Sequence, residues 1–122
     1  MTDASPRIAR HSWGRIAVEG RTFKDVMLWP GGAAEWDWTA TGTSHGAGVQ
    51  AADVRGLLDR DADHVVLSLG RQRRLTVSAE ATALLDGGDV PYDVLVTDEA
   101  IDRYEQLRGD GVPVAALIHT TC

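Results

Sequence analysis

Residues 64–69 read His64-Val-Val-Leu-Ser-Leu69, a short apolar run rich in β-branched residues and without polar alternation. A run of this length and kind is a strand covered on both faces. Downstream, Ser78 is placed to cap a helix that runs to Asp86 and stops at Gly87-Gly88. Tyr92–Thr97 is the next strand. Asp98–Arg108 is a helix that packs Ile101, Tyr104 and Leu107, with Asp98 and Glu99 favouring its N-terminus and Gly109 ending it. Val114–His119 is the last strand. Upstream of His64, Gln50–Arg60 has Val54, Leu57 and Leu58 on one helical face. Buried strands alternating with helices call for a mostly parallel sheet covered on both sides. The strands at 64–69, 92–97 and 114–119 are therefore expected in one sheet and mutually parallel.

The N-terminal part adds a small β element. Ile8–Arg10 and Arg15–Val18 are short strands around Ser12-Trp13-Gly14, and Thr22–Trp29 is a longer strand ended by Pro30-Gly31-Gly32. The predicted architecture is α/β: one three-layer domain over residues 8–122, with a central mixed, mostly parallel sheet and flanking helices. Residues 1–7 are read as a tail.

Composition narrows the function classes. With 122 residues, 43% hydrophobic and 25% charged, the chain supports one folded domain with a core. A net charge of −6 argues against generic binding to nucleic acid or anionic membranes, which need a basic face. No apolar run reaches membrane-spanning length, and the polar start Met1-Thr-Asp-Ala-Ser-Pro6 lacks a signal-peptide pattern. The single cysteine, Cys122, has no internal partner. A cytoplasmic protein is expected.

Between the β element and the first helix lies Trp29-Pro-Gly-Gly-Ala-Ala-Glu-Trp36-Asp-Trp38-Thr-Ala-Thr41-Gly-Thr43-Ser-His45-Gly-Ala-Gly48-Val49, which holds three of the four tryptophans. A long segment without periodicity is uncommon in a compact domain and is often functional. Three large apolar rings imply that it is docked, with Trp29, Trp36 and Trp38 as anchors and at least two of them largely buried.

Read in order, Ser12-Trp-Gly14, Lys24-Asp25, Trp29-Pro-Gly-Gly32, Trp36-Asp-Trp38, Thr41-Gly-Thr-x-His45, Gly48-Val49, Ala52-Asp-Val54 and His119-x-Thr-Cys122 make a specific joint pattern. In this pattern the chain resembles the small Mth-domain family, a domain of unknown function, from about Ile8 to Cys122. That family includes a vertebrate adipogenesis-associated protein and, more remotely, a mitochondrial complex I assembly factor. Trp36-Asp-Trp38 and His119-x-Thr-Cys122 are closer to the first branch. The resemblance implies the three-layer α/β fold and roles in signalling or complex assembly, and it carries no catalytic residues over.

Ligands of open α/β sheets bind outside the carboxyl ends of the parallel strands. Gly70–Arg74, Thr97-Asp98 and His119–Cys122 all leave such ends, and the segment Thr41–Val49 feeds the helix that starts near Gln50. Thr41, Thr43, His45, Arg71, Arg73, Arg74, His119 and Cys122 are therefore the candidate ligand- or partner-binding residues. A small anion is a candidate ligand at the helix start, with Asp53 as its competitor for the helix N–H groups.

Each candidate also has a structural reading. Pro30-Gly31-Gly32 reads as a plain turn. Thr41–His45 can be a hydrogen-bonded brace, the arginines a solvated or carboxylate-paired turn, and His119 a satisfied core histidine. Cys122 is expected to be inert, because the sequence fixes no base beside it. His119-x-x-Cys122 offers two metal ligands where a closed zinc site needs four, so neither a metal site nor another cofactor is expected. No nucleotide-binding, hydrolase or paired-cysteine motif is present. The reading from sequence is a non-catalytic binding or assembly module acting on a protein partner. The alternatives are a small-molecule or anion-binding protein, or an enzyme, using the His45/Arg71/His119 edge, and a redox role for Cys122.

Overall fold

The computed structural model describes residues 4–122. In its larger sheet β6, His64–Ser68, pairs in parallel with β7, Tyr92–Leu95, on one side and β8, Val114–Ile118, on the other. The three predicted strands are thus mutually parallel. Beyond β8 the sheet turns antiparallel through β4, Val26–Trp29, and β5, Gly32–Glu35, in the order β5-β4-β8-β6-β7. Among the described residues the three α-helices are α1, Ala51–Leu58, α2, Ala79–Gly87, and α3, Thr97–Gly109.

Alternation within the strands explains why their sequences read as unbroken apolar runs. Val65, Leu67, Ala115 and Leu117 pack with Val54 and Leu57 of α1 and Ala81 and Leu85 of α2. Val66, Val114, Ala116 and Ile118 face the other way, onto Ile101, Tyr104 and Leu107 of α3. Successive side chains point to opposite faces, and here both faces are interior. The placement of the helices follows from connection handedness. The chain moves one way from β6 through α2 to β7, then back across β6 through α3 to β8. Right-handed crossovers in opposite directions require helices on opposite faces.

The N-terminal sheet is β1, Ile8–Ser12, β2, Arg15–Val18, and β3, Arg21–Phe23, all antiparallel. Ile8, Ile16, Val18 and Phe23 extend the α3-side core. The expected strand Thr22–Trp29 is in fact two strands in two sheets, broken by a bend at Lys24-Asp25. At that bend the Asp25 carboxylate turns inward to accept the Thr120 N–H at 2.9 Å.

Strand β5 was not anticipated, because Gly-Ala-Ala-Glu has little strand propensity of its own. Pairing with β4 supplies the strand. The hairpin closes through Pro30-Gly31, with Gly31 at φ +102, where a side chain is disfavoured.

Residues 4–7, read from sequence as part of a tail, are docked in the structure. The Ser5 hydroxyl donates to the Val114 carbonyl at 2.8 Å, and the buried Tyr104 hydroxyl donates to Pro6 O at 2.6 Å. Burial holds the Tyr104 phenol well above its ordinary value. Residues 1–3 of that tail lie outside the described residues. No helix among the described residues is long and apolar enough to cross a membrane.

At the β7 edge, Asp93 accepts from His64 Nε2 at 2.7 Å and from Arg103 Nε at 2.9 Å. Burial pushes this carboxyl up, but the hydrogen bonds from Arg103 and His64 outweigh it and hold it below the ordinary carboxylate value. A carboxyl lowered in the folded state contributes stability above its unfolded pKa, and that contribution is lost as pH falls through the folded value. Urea unfolding at about pH 5 and about pH 3 is expected to show a larger loss for the wild type than for Asp93→Asn. Equal losses would remove Asp93 as a source of acid sensitivity.

Candidate functional site

The site is built where β4 and β8 meet. These strands are antiparallel with Val26 opposite Ile118, so the residue before β4, Asp25, lies against the residue after β8, His119. Both are buried. His119 Nδ1 lies 3.1 and 3.2 Å from the two Asp25 carboxylate oxygens. A carboxylate accepts only, so the proton of this hydrogen bond sits on His119 Nδ1, and Nε2, 3.4 Å from the Thr121 hydroxyl, is the nitrogen not engaged by Asp25. The backbone around the ring is fixed as well. The His119 N–H donates to Ser68 Oγ at 2.7 Å, and its carbonyl accepts from Thr97 Oγ1 at 2.6 Å.

The Trp-rich loop closes over this pair. Trp36 N–H donates to the Asp25 carbonyl at 3.0 Å. Trp36 is buried and Trp38 half-buried, their rings 5.5 Å apart. Trp38 lies 4.6 Å from the His119 ring and stands edge-on to His45 at 5.3 Å. The Trp38 indole N–H is buried without a hydrogen-bond partner among the described residues. Trp29 is half-buried under the Arg60 guanidinium, 4.1 Å from the ring. All three loop tryptophans thus pack against the same core, Trp36 fully and Trp29 and Trp38 in part, as expected of anchors. The exposed part of Trp38 is the wall of a cavity of about 610 Å³, onto which His45, His119, Lys24, Glu35 and Asp37 also open. Three carboxylates, Asp25, Glu35 and Asp37, line it against the single lysine.

Thr41 and Thr43 do not reach the cavity. Both hydroxyls donate to the Asp53 carboxylate, Thr41 at 2.7 Å, which also accepts from Trp36 Nε1 at 3.2 Å and from the Gln50 N–H at 3.1 Å. Asp53 is the third residue of α1, and its carboxylate reaches back over the helix start. The position expected for an anion is thus held by the chain's own carboxylate.

Arg71 lies at the predicted edge but is bound internally. It donates to Thr120 O, Asp98, Ser12 O and His11 Nδ1, tying β1, β8 and α3 together. Arg73 and Arg74 are exposed on the same turn, where Arg74 N–H holds the Cys122 carbonyl at 3.0 Å.

Cys122 is not isolated. Its Sγ lies 3.7 Å from His45 Nε2, and His45, His119 and Cys122 present donor atoms all within 4.8 Å of one another. The expectation that nothing fixes a base beside Cys122 is corrected, because the fold brings an imidazole from a segment far away in sequence. Of the predicted set, the structure gathers His45, His119 and Cys122, uses Thr41, Thr43 and Arg71 as braces, and leaves Arg73 and Arg74 exposed. Asp25 was missed as a site residue. Its signal was a charged pair, Lys24-Asp25, inside an otherwise strand-like run.

A family model described as a protein of unknown function (DUF498/DUF598) matches residues 8–119. Among solved structures, a conserved hypothetical protein from Pyrococcus horikoshii OT3 superposes with a TM-score of 0.80 at 24% identity, covering 95% of this chain and 99% of that one. An outer membrane protein from Bartonella henselae gives 0.79 at 16% identity over 100% of both chains. A Mth938-like domain from Bordetella pertussis gives 0.68 at 16% identity, covering 94% of this chain and 85% of that one. At these identities the likeness is one of fold.

Proposed function

Because the chain belongs to this DUF498/DUF598 family of unknown function, we propose from its own geometry that it is a ligand-binding protein whose pocket takes a small molecule between Trp38 and the Asp25–His119 pair. The observation that carries this reading is the buried, carboxylate-oriented His119 opening onto a tryptophan-walled cavity of about 610 Å³. Ligand sites are typically concave, about 300–1,000 Å³, with aromatic walls and a few fixed polar groups. The acidic lining of Asp25, Glu35 and Asp37 favours a neutral or cationic ligand, for which a Trp face is a suitable platform. A cytoplasmic setting suits the unpaired Cys122.

A second reading, docking of a protein partner in an assembly role, draws support from Trp13. This is the one large apolar side chain that is well exposed among the described residues, 56% at the β1–β2 turn. A single ring is a small anchor compared with the broad apolar patch that a stable interface presents.

The test is a screen of small neutral, cationic and anionic compounds by amide and indole NMR shifts. Binders are expected to move Trp36, Trp38 and His119 and to weaken at least tenfold in Trp38→Ala. Shifts centred on Trp13, or none in the pocket across the library, would sink the small-molecule reading.

A further inference from the structure

We infer that His45, His119 and Cys122 form a binding site for a divalent cation of the zinc class, with Asp25 as the partner that sets His119. This deepens the reading of the pocket as a ligand site and rests on it.

The donor set is right for such an ion. Zinc and its borderline-soft neighbours take imidazole nitrogen and thiolate sulfur in tetrahedral arrangement. With metal–nitrogen bonds of about 2.0 Å and metal–sulfur bonds of about 2.3 Å, a tetrahedral site holds N and S about 3.5 Å apart. His45 Nε2 and Cys122 Sγ are already 3.7 Å apart, and all three donors lie within 4.8 Å of one another. His45 is exposed and Cys122 half-buried, so small side-chain rotations close the rest.

The second observation is the hydrogen bond that orients one of those donors. Metal-binding histidines commonly donate their other ring N–H to a carboxylate, which fixes the tautomer and raises the basicity of the ligating nitrogen. His119 does this through Nδ1 to the buried Asp25, which leaves Nε2 as the nitrogen for a metal. Among the described residues the one hydrogen-bond contact at Nε2 is the Thr121 hydroxyl at 3.4 Å, long for a hydrogen bond and easily displaced.

The surrounding charge agrees. Glu35 and Asp37 on the cavity wall favour a cation and oppose an anion. Three protein donors leave the fourth tetrahedral position open, which is the arrangement of sites that exchange a bound water or small ligand. Two of the three donors, His45 and His119, line the cavity where the small molecule is proposed to lie.

The probe is cobalt(II) titrated into the reduced full chain and followed by absorption, with zinc then added to displace it. The expected result is visible ligand-field bands of tetrahedral intensity together with a near-ultraviolet sulfur-to-cobalt charge-transfer band. Cys122→Ser is expected to lose the charge-transfer band, and His45→Ala to weaken binding at least tenfold. Both replacements lie away from the core, so the fold survives them. Asp25→Asn is expected to weaken binding about 10–100-fold. Absence of the bands, or bands unchanged in Cys122→Ser, overturns the metal site. If compounds still shift Trp38 and His119 when cobalt fails, the pocket reading stands and only the cation is wrong. If neither binds, both readings fall.

Discussion

Asp53→Ala is expected to destabilise the protein by about 3–4 kcal/mol and to free the loop from Trp36 to Val49. The carboxylate takes four donors, from the Trp36 indole, Thr41, Thr43 and the Gln50 backbone. Asp53, Trp36 and Thr43 are all buried. Removing the acceptor leaves several donors without partners in the interior, each costing about 1–3 kcal/mol, less whatever rotation of the hydroxyls recovers. Asp53→Asn keeps one acceptor oxygen but turns the other into a donor, so it is expected to recover only part of the loss. Urea unfolding gives the stability, and amide exchange reports on the loop. A loss below about 1 kcal/mol with unchanged protection of Trp36–Val49 would contradict this account of the loop.

Gly70→Ala is expected to cost about 2–4 kcal/mol and to abolish cobalt binding although no ligand is changed. Gly70 has φ +89, a conformation costing a residue with a side chain about 1–3 kcal/mol. A Cβ there would overlap the backbone carbonyl of Cys122 and come within 3.1 Å of the His119 ring. Neither is the far end of a flexible side chain. The segment after β8 must therefore lift, breaking the bonds from Arg71 N–H to Thr121 O at 2.7 Å and from Arg74 N–H to Cys122 O at 3.0 Å. A Gly70→Ala protein that unfolds like the wild type and keeps its charge-transfer band would show that the segment adapts without loss.

The fold was legible where burial imposes a period. The runs at His64, Tyr92 and Val114 announce strands because both faces of the sheet are interior, and Val54, Leu57, Ile101 and Tyr104 announce helices because one stripe must pack. Boundaries moved by one or two residues. Thr97, for example, is the first residue of α3, and its hydroxyl donates to the His119 carbonyl. What was not legible depends on tertiary pairing. β5 forms because β4 is beside it, and Lys24-Asp25 is a bend because Asp25 has a partner ninety-odd positions away.

The site divides in the same way. The carboxyl-edge rule found His45, His119 and Cys122, but it also collected Thr41, Thr43 and Arg71, whose residue types suit ligand contact and internal bracing equally well. Only the geometry around Asp53 and Thr120 separates those roles. Asp25 escaped because its importance comes from the antiparallel register of Val26 with Ile118, which neither segment carries alone.

That register has a consequence for how the molecule is made. β8 is late in the chain yet lies between β4 and β6. During synthesis the β4–β5 hairpin emerges early and has no sheet to join until Val114–Ile118 leaves the ribosome. Bringing such distant segments together carries a loop-closure cost that is recovered only when β8 docks. Asp25, His45 and His119–Cys122 meet in the same event, so a nascent chain gathers the proposed site only as the sheet is completed, and occupancy of that proposed site is expected to report on the finished fold.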